Sequence, residues 1–402
     1  MINLYEKCRN STSVEGDFFV GLHYDTDIEI VFPLGYNIPE DNLNCRKSII
    51  KLLQSLKLAS NHETYTVNIN NVCLNGKFPF ESYLWIIDDY FKHGLYQEST
   101  KIYKEKAKGK INWKKTLKQQ FYISDDSVVY LNPIIEKVGF ESTLMTHIYM
   151  FCLEDSTNYL GWLFNGFTYK TEVPLVYDKK SLLMILNDKL KKVFDDKTKL
   201  MIFHMKNILS YEKSISNQAV NYSYGVTNYY YVWEMMVDKM FSNIESSLFY
   251  PKAFWHINNE EYFSTSLRPD TIMQYQEEIH ILDSKYYKYG ITNKISDLPN
   301  TSSIQKQIVY GDFAIKIIND SIVYNAFILP YDMNNNKMDL NKEIEGYGYA
   351  YAKWNDALHI QHNKVVLVFI DTKFLVDNWK SKGKCNSKLV EIIKNELKIL
   401  EK

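Results

Sequence analysis

The sequence predicts a mixed α+β and α/β chain in three parts. These are an N-terminal α+β domain over residues 1–99, a basic segment and helical connector over 100–225, and a C-terminal catalytic-type domain over 226–402. Three observations lead there. Stretches that alternate apolar and polar residues recur near both ends of the chain, at residues 14–36 and 268–285. The middle third is apolar at helical spacing. The last third reads as a helix, a strand hairpin, a second helix and further strands, in that order.

At 402 residues and 46% hydrophobic content, the chain can bury more than one core. Its formal net charge of -1 excludes a general polycation, so any nucleic-acid surface must be local. The five cysteines, Cys8, Cys45, Cys73, Cys152 and Cys385, form no Cys-x-x-Cys pair and no zinc spacing with the nine histidines. Free thiols in a reducing cytoplasm are expected. The opening MINLYEKCRN has no apolar signal core, and no apolar run approaches bilayer-spanning length, so a cytoplasmic protein with no membrane partner is expected.

In chain order, Phe18 to His23 and Ile28 to Phe32 alternate about the turn Asp25-Thr26-Asp27 and predict a strand pair. Cys45 to Lys57 places Ile49, Ile50, Leu53 and Leu56 on one helical side. Tyr65 to Val72 predicts a strand, and residues 79–98 a helix. His23 and His93 read as packing or surface residues, not ligands. Thr100 to Gln120 carries eight lysines, interleaved with Tyr103 and Trp113, against the single acid Glu105. Lys110, Trp113, Lys114 and Lys115 are its candidate contacts to nucleic acid or to an acidic partner; the alternative is a solvated linker. Gly139 to Phe167 and Ser181 to Ser210 predict the helices of the connector, with Leu182, Leu183, Leu186, Leu190 and Val193 as a stripe.

The chemistry concentrates between Arg268 and Gly290, RPDTIMQYQEEIHILDSKYYKYG. Ile272, Met273 and Tyr275 predict one strand, Gln276 to Glu278 a turn, and Ile279, Ile281 and Leu282 a second strand. Such a hairpin can set Asp270, after Pro269, beside Asp283. Side chains alternate, so Lys285 shares a face with Asp283 while Ser284 points away. Two hard carboxylate donors suit Mg²⁺, with Mn²⁺ as an alternative, and the lysine can orient attacking water. The helix over Asn228 to Asn243 buries an apolar interior yet holds Glu234 between Trp233 and Met235, either solvated or turned to the site. A helix over Ser302 to Ile318 puts Gln307 and Tyr310 on one face. Gln307 is either a phosphate or water contact or a surface residue. Strands follow at 322–331 and 365–370, with an earlier one at 251–257. The second Asp-x-Lys, Asp371-Thr372-Lys373, has no Pro-Asp strand in hairpin register and is expected to be a decoy.

Pro-Asp, a strand, then Asp-x-Lys resembles the PD-(D/E)xK nuclease superfamily, and the C-terminal order matches its αβββαβ core. The resemblance implies catalytic roles for Asp270, Asp283, Lys285, Glu234 and Gln307, and a metal set of Asp270, Asp283, Glu234 and Ser284. A closer likeness is carried by FVGLHYDTDIEIVFPLGY, GKINWKKT, YYYVWEMMV and RPD…LDSKYY, and it covers nearly the whole chain. Together these look like the LlaJI family of restriction endonucleases and, more distantly, the McrC nuclease subunit. That likeness implies double-stranded DNA cleavage in restriction or phage defence, with a separate AAA+ NTPase as motor. The chain itself has no Gly-x-x-x-x-Gly-Lys-Ser/Thr phosphate loop. A homo-oligomer is compatible with this reading. The competing readings are a non-catalytic DNA-binding scaffold with a relic nuclease fold, and an RNA or repair nuclease of the same fold.

Overall fold

The computed structural model describes residues 3–13, 17–24, 27–61, 68–69, 72–73, 78–105, 108–124, 127–172, 177–211, 222–318, 322–354 and 360–398. They fall into two units, Gly76–Ser216 and a second one made of Asn3–Asn75 with Asn217–Lys402. The second is discontinuous in sequence.

The first sheet of the discontinuous unit has the strand order Cys8–Asn10, Ile28–Phe32, Val20–Tyr24, Tyr222–Val226. Cys8–Asn10 runs parallel to its neighbour and the other pairings are antiparallel. The alternation at 18–32 therefore becomes a hairpin that buries Leu22 and Ile30; Asp25 and Thr26 of its turn lie outside the described residues. Gly21 faces Gly225 across the sheet, and a Cβ on Gly21 would stand 2.4 Å from the Gly225 Cα, so the two strands close only because that side chain is missing. Helix Asn42–Leu56 starts where the Asp41 side chain accepts from the Asn44 N–H, and it buries Ile49, Leu52, Leu53 and Leu56. Of the expected strand at 65–72, Asn68–Ile69 is described and pairs with Val72–Cys73; most of the rest lies outside the described residues.

The second sheet has five strands in the order Thr271–Tyr275, Glu278–Ser284, Ile322–Tyr331, Lys364–Asp371, Ile344–Tyr351. The three inner strands are parallel to one another and the two edges antiparallel. Parallel neighbours need a crossover, and helix Thr301–Ile317 supplies it between Glu278–Ser284 and Ile322–Tyr331. Val323 to Tyr331 is buried without interruption, as a strand covered on both faces requires. One face packs Ile272, Ile279, Ile281 and Val323 against Tyr310 and Ala314 of the crossover helix and against Phe249.

Two expectations about this region need correction. The strand expected at 251–257 forms as Lys252–Ile257 but, among the described residues, pairs only with Glu260–Ser266 and is not part of the five-stranded sheet. Neither of its faces is buried, so no core claims it. The hairpin turn is Gln276 and Glu277 alone; Gln276 takes a φ of +55°, and Glu278 already pairs with Tyr275.

The continuous unit contains helices Phe80–His93, Leu144–Leu160, Lys179–Leu190 and Asp196–Ser210. Tyr149 donates to Asp89 at 3.0 Å and Tyr83 to Asp155 at 3.1 Å, so buried hydroxyls link the first two of these helices. The stretch from Gly139 is not helical from its start. Gly139 to Glu141 ends strand Ile134–Glu141, the centre of a three-stranded sheet with Glu98–Glu105 and Lys110–Ile111. Backbone pairing along eight register positions outweighs the helical periodicity there. The basic segment is thus built into strands and a short helix, Trp113–Thr116, capped by Asn112; Lys106 lies outside the described residues.

Candidate active site

The site forms where the hairpin Thr271–Tyr275 and Glu278–Ser284 meets helix Tyr229–Phe241. Thr271 pairs with Leu282, so one step further the register sets Asp270 against Asp283. Buried Pro269 fixes the entry to this strand. Asp270 Oδ2 accepts the Ser284 N–H at 2.8 Å, which ties the first carboxylate to the backbone between Asp283 and Lys285. Asp283 is 6% exposed, and its Oδ2 lies 2.5 Å from the Lys285 Nζ. The Lys285 N–H donates to the Ile328 carbonyl at 2.9 Å, continuing the parallel ladder past the strand end and holding the lysine on the Asp283 face.

Glu234 comes from the helix. Trp233 beside it is fully buried and donates its indole N–H to the same Ile328 carbonyl at 3.4 Å. That contact rotates the helix so that Glu234 is half-buried toward the strand end. Burial, then the Asp283 charge, pushes the Glu234 carboxyl up to about 7, with Lys285 opposing. Burial pushes Asp270 up to about 8, with Asp283 and Glu234 adding to it and the Ser284 N–H and Lys285 opposing. The carboxylates thus sense one another as one electrostatic cluster. Burial works to lower the Lys285 ammonium, but the Asp283 charge and hydrogen bond, with Asp270 beyond, leave it above the ordinary lysine value. It is a fixed cation.

The remaining sequence-predicted residues fall elsewhere. Gln307 is fully buried, not a surface residue. Its Nε2 donates to the Ile281 carbonyl at 2.8 Å and to Asn325 at 3.4 Å, clamping helix Thr301–Ile317 onto the strand two residues before Asp283. The Ser284 hydroxyl is buried on the opposite face without a partner, so Ser284 meets the site through its backbone. Two residues the sequence reading missed frame the site. Tyr310 donates to the Arg268 carbonyl at 3.0 Å and steadies the approach to Pro269. Asp238 lies one turn beyond Glu234, with its carboxyl raised chiefly by burial; the four-residue spacing of two acids on an apolar helix was the available signal.

The donors are hard oxygens, the kind Mg²⁺ prefers. Among the described residues no three acidic, histidine or cysteine side chains enclose a metal position by themselves. Mg²⁺ is commonly held by one or two carboxylates, with waters and substrate phosphate completing its shell, so the Asp270 and Asp283 pair fits that ion. Burial and then the neighbouring carboxylate charges raise Asp270 and Glu234, and a bound cation relieves the second of these.

In the other unit, Trp113 is 58% exposed, and Lys110, Lys114 and Lys115 are also exposed. Lys115 is not free: its Nζ lies 3.2 Å from the Tyr103 ring centroid. His23 bonds Ser223 across the first sheet, and His93 pairs with Asp89 of its own helix at 2.9 Å. Cys8, Cys45, Cys152 and Cys385 take part in no disulfide. Among the described residues no helix is long and apolar enough to cross a membrane.

The fold and the site define a mixed α/β protein with a carboxylate–lysine centre at the end of a sheet. The family model described as LlaJI restriction endonuclease matches residues 19–373, and the chain belongs to that family. The match spans the candidate site, the five-stranded sheet and all of the first sheet but Cys8–Asn10. No curated protein sequence matches the chain. Among solved structures, a refined half-complex of Thermococcus gammatolerans McrB AAA+ hexamers with bound McrC is similar over 93% of this chain and 83% of the matched chain, at 11% identity and a TM-score of 0.40.

Proposed function

We propose that this chain is a Mg²⁺-dependent endodeoxyribonuclease subunit of a restriction or phage-defence system, with a centre of the PD-(D/E)xK type. One observation carries the reading. Asp270, Asp283, Lys285 and Glu234 come from a strand entry, a strand end and a helix, yet form one partly buried electrostatic cluster. Asp270 and Asp283 hold Mg²⁺, or Mn²⁺, with Glu234 in support. When bound, the metal supplies charge neutralisation at the scissile phosphate. Lys285, kept protonated by Asp283, orients the attacking water or the phosphate as a donor. Gln307 keeps the strand in place and acts through it.

Family membership supports a restriction role. The separate AAA+ NTPase rests on the family resemblance and on the lack of a phosphate loop in these 402 residues. The exposed Lys110, Trp113 and Lys114, with Lys115, are the proposed contacts to that motor or to flanking DNA. The domain division at 99 and 225, with nuclease chemistry confined to 226–402, belongs to the same proposal.

The test is plasmid cleavage by the chain co-purified with the product of its neighbouring gene, with Mg²⁺ and nucleotide. Metal-dependent nicking or linearisation is expected. Full cleavage in excess chelator, or none with any divalent metal, rejects the reading. Replacing Lys110, Lys114 and Lys115 by glutamate is expected to lose partner capture or salt-sensitive DNA binding; wild-type behaviour in both reduces the segment to a solvated surface.

A further inference from the structure

Between the site helix and Asp270 the chain makes another hairpin, Lys252–Ile257 with Glu260–Ser266. Phe254 stands opposite Phe263, and Trp255 opposite Tyr262. Consecutive side chains alternate, so one aromatic pair lies on each face of the ribbon. All four rings are about half exposed or more, from 49% at Tyr262 to 63% at Trp255. An isolated two-stranded ribbon is marginally stable in water, and contiguous exposed apolar surface marks binding. A ribbon apolar on one face suits a flat partner. One apolar on both faces suits a slot with two walls.

We propose that this hairpin is a groove-reading ribbon for the double-stranded DNA held at the carboxylate site. Its aromatic faces lie along the groove walls, and its tip meets the base edges. This rests on the nuclease reading above.

Dimensions, tip chemistry and position support it. The major groove is about 12 Å wide and about 8.5 Å deep, and it admits a two-stranded β-ribbon. Six residues at about 3.3 Å each extend roughly 20 Å, enough to reach the groove floor. The turn is Asn258 and Asn259, both at positive φ, flanked by Ile257 and Glu260, with His256 and Glu261 paired one step further from the tip. Asparagine pairs with adenine and glutamate accepts from the cytosine amino group. Two glutamates at a tip are repelled by phosphates, so the tip suits base edges and not the backbone. Tyr262 donates to Glu260 at 2.6 Å and fixes one of these acceptors. The cations Lys252 and Arg268 lie instead at the root, where phosphates border a groove. The root is anchored: the Leu267 N–H donates to the Pro251 carbonyl at 3.0 Å, and Tyr310 donates to the Arg268 carbonyl. Two residues after Arg268 the chain reaches Asp270, at the entry to strand Thr271–Tyr275. The hairpin is therefore continuous with the site that takes the scissile phosphate.

The test uses the full chain in chelator, so that binding is read without cleavage. Fluorescence anisotropy follows a labelled duplex pool with a randomised centre. The Trp255→Ala/Tyr262→Ala protein is expected to bind roughly tenfold or more weakly. Asn258→Ala/Asn259→Ala is expected to keep bulk affinity within about threefold while losing the sequences that wild type enriches. A benzophenone amino acid at position 255 should crosslink to the duplex, and one at exposed Trp354 should not. Unchanged binding and enrichment in both variants overturns the proposal. So does crosslinking from 255 only to protein, or no duplex binding by wild type. Plasmid cleavage with Mg²⁺ is scored separately. Hairpin-dependent binding without cleavage sinks the nuclease reading and keeps the ribbon; cleavage with hairpin-independent binding sinks only the ribbon.

Discussion

Two Asp-x-Lys sequences close two strands that flank Ile322–Tyr331 and run in the same direction, yet their aspartates do different work. At Asp371 both carboxylate oxygens are committed to backbone. Oδ1 accepts the Phe374 N–H and caps helix Thr372–Asn378, while Oδ2 accepts the Met333 N–H at 3.0 Å. Lys373 turns away to Asp377, four residues along its own helix. At Asp283 one oxygen meets the ammonium of Lys285, and the other carboxylates of the cluster come from a different strand and a helix. A short motif at a strand end is therefore neutral as to function. What distinguishes the two is whether the next residues begin a helix, which consumes the carboxylate as a cap, or stay extended, which leaves it for a ligand.

That contrast can be broken most directly by Asp283→Ala and Lys285→Ala. Each is expected to lower Mg²⁺-dependent cleavage by at least about a hundredfold, as removal of a charge-stabilising group does, with circular dichroism unchanged. Wild-type rates in either purified protein would dismantle the assignment. Asp371→Ala is the mirror experiment. It should cost about 1–2 kcal/mol of stability through the lost cap, read by urea denaturation, while activity per folded molecule is retained. An Asp371→Ala protein that is stable but dead would mean that the site lies at the wrong strand end.

Next in size is a pH effect. Asp270 rises from an ordinary 3.8 to about 8 and Glu234 from 4.5 to about 7. Between these values the folded state holds protons that the unfolded chain has released. Their contribution to stability therefore falls as pH rises from about 4 to about 8. The metal-free melting temperature should drop across that window, and Mg²⁺ should restore it most at the alkaline end. Asp270→Asn should flatten both trends; unchanged slopes in that variant would show that Asp270 does not hold a proton in the folded state across that window. The smallest effect is assigned to Lys373→Ala. A helical i,i+4 pair is worth about 0.3–0.5 kcal/mol, and Asp377 keeps Lys51 as a second cation, so this variant should melt and cleave almost as wild type, in contrast to Lys285→Ala.

Much of the site was legible because it is local. Pro269, Asp270, the alternation to Leu282, and Asp283 with Lys285 all belong to one hairpin, whose register follows from a two-residue turn. Glu234 was legible as a charged residue in an apolar helix, though its orientation depends on Trp233 reaching Ile328, a contact across 95 positions that no periodicity encodes. The burial of Gln307 was hidden for the same reason: its partners are Ile281 and Asn325 on separate strands. Lys252–Ile257 had strand character, but strand character does not name a sheet. The edge strand Ile344–Tyr351 was missed because its glycines and tyrosines mask alternation. In the basic segment, lysines on Glu98–Glu105 concealed a strand beneath what reads as a charge run.

The pairing of Val20–Tyr24 with Tyr222–Val226 has a consequence for how the chain is made. During synthesis the first strands emerge about two hundred residues before the partner that completes their sheet. Gly76–Ser216, which clusters as a unit of its own, is made in that interval. The entropy of closing a loop grows only slowly with its length, so an insertion of that size costs the sheet little more than a short one would. The order of the genetic message thus leaves the unit that carries the carboxylates short of a strand until more than half of the chain has been made.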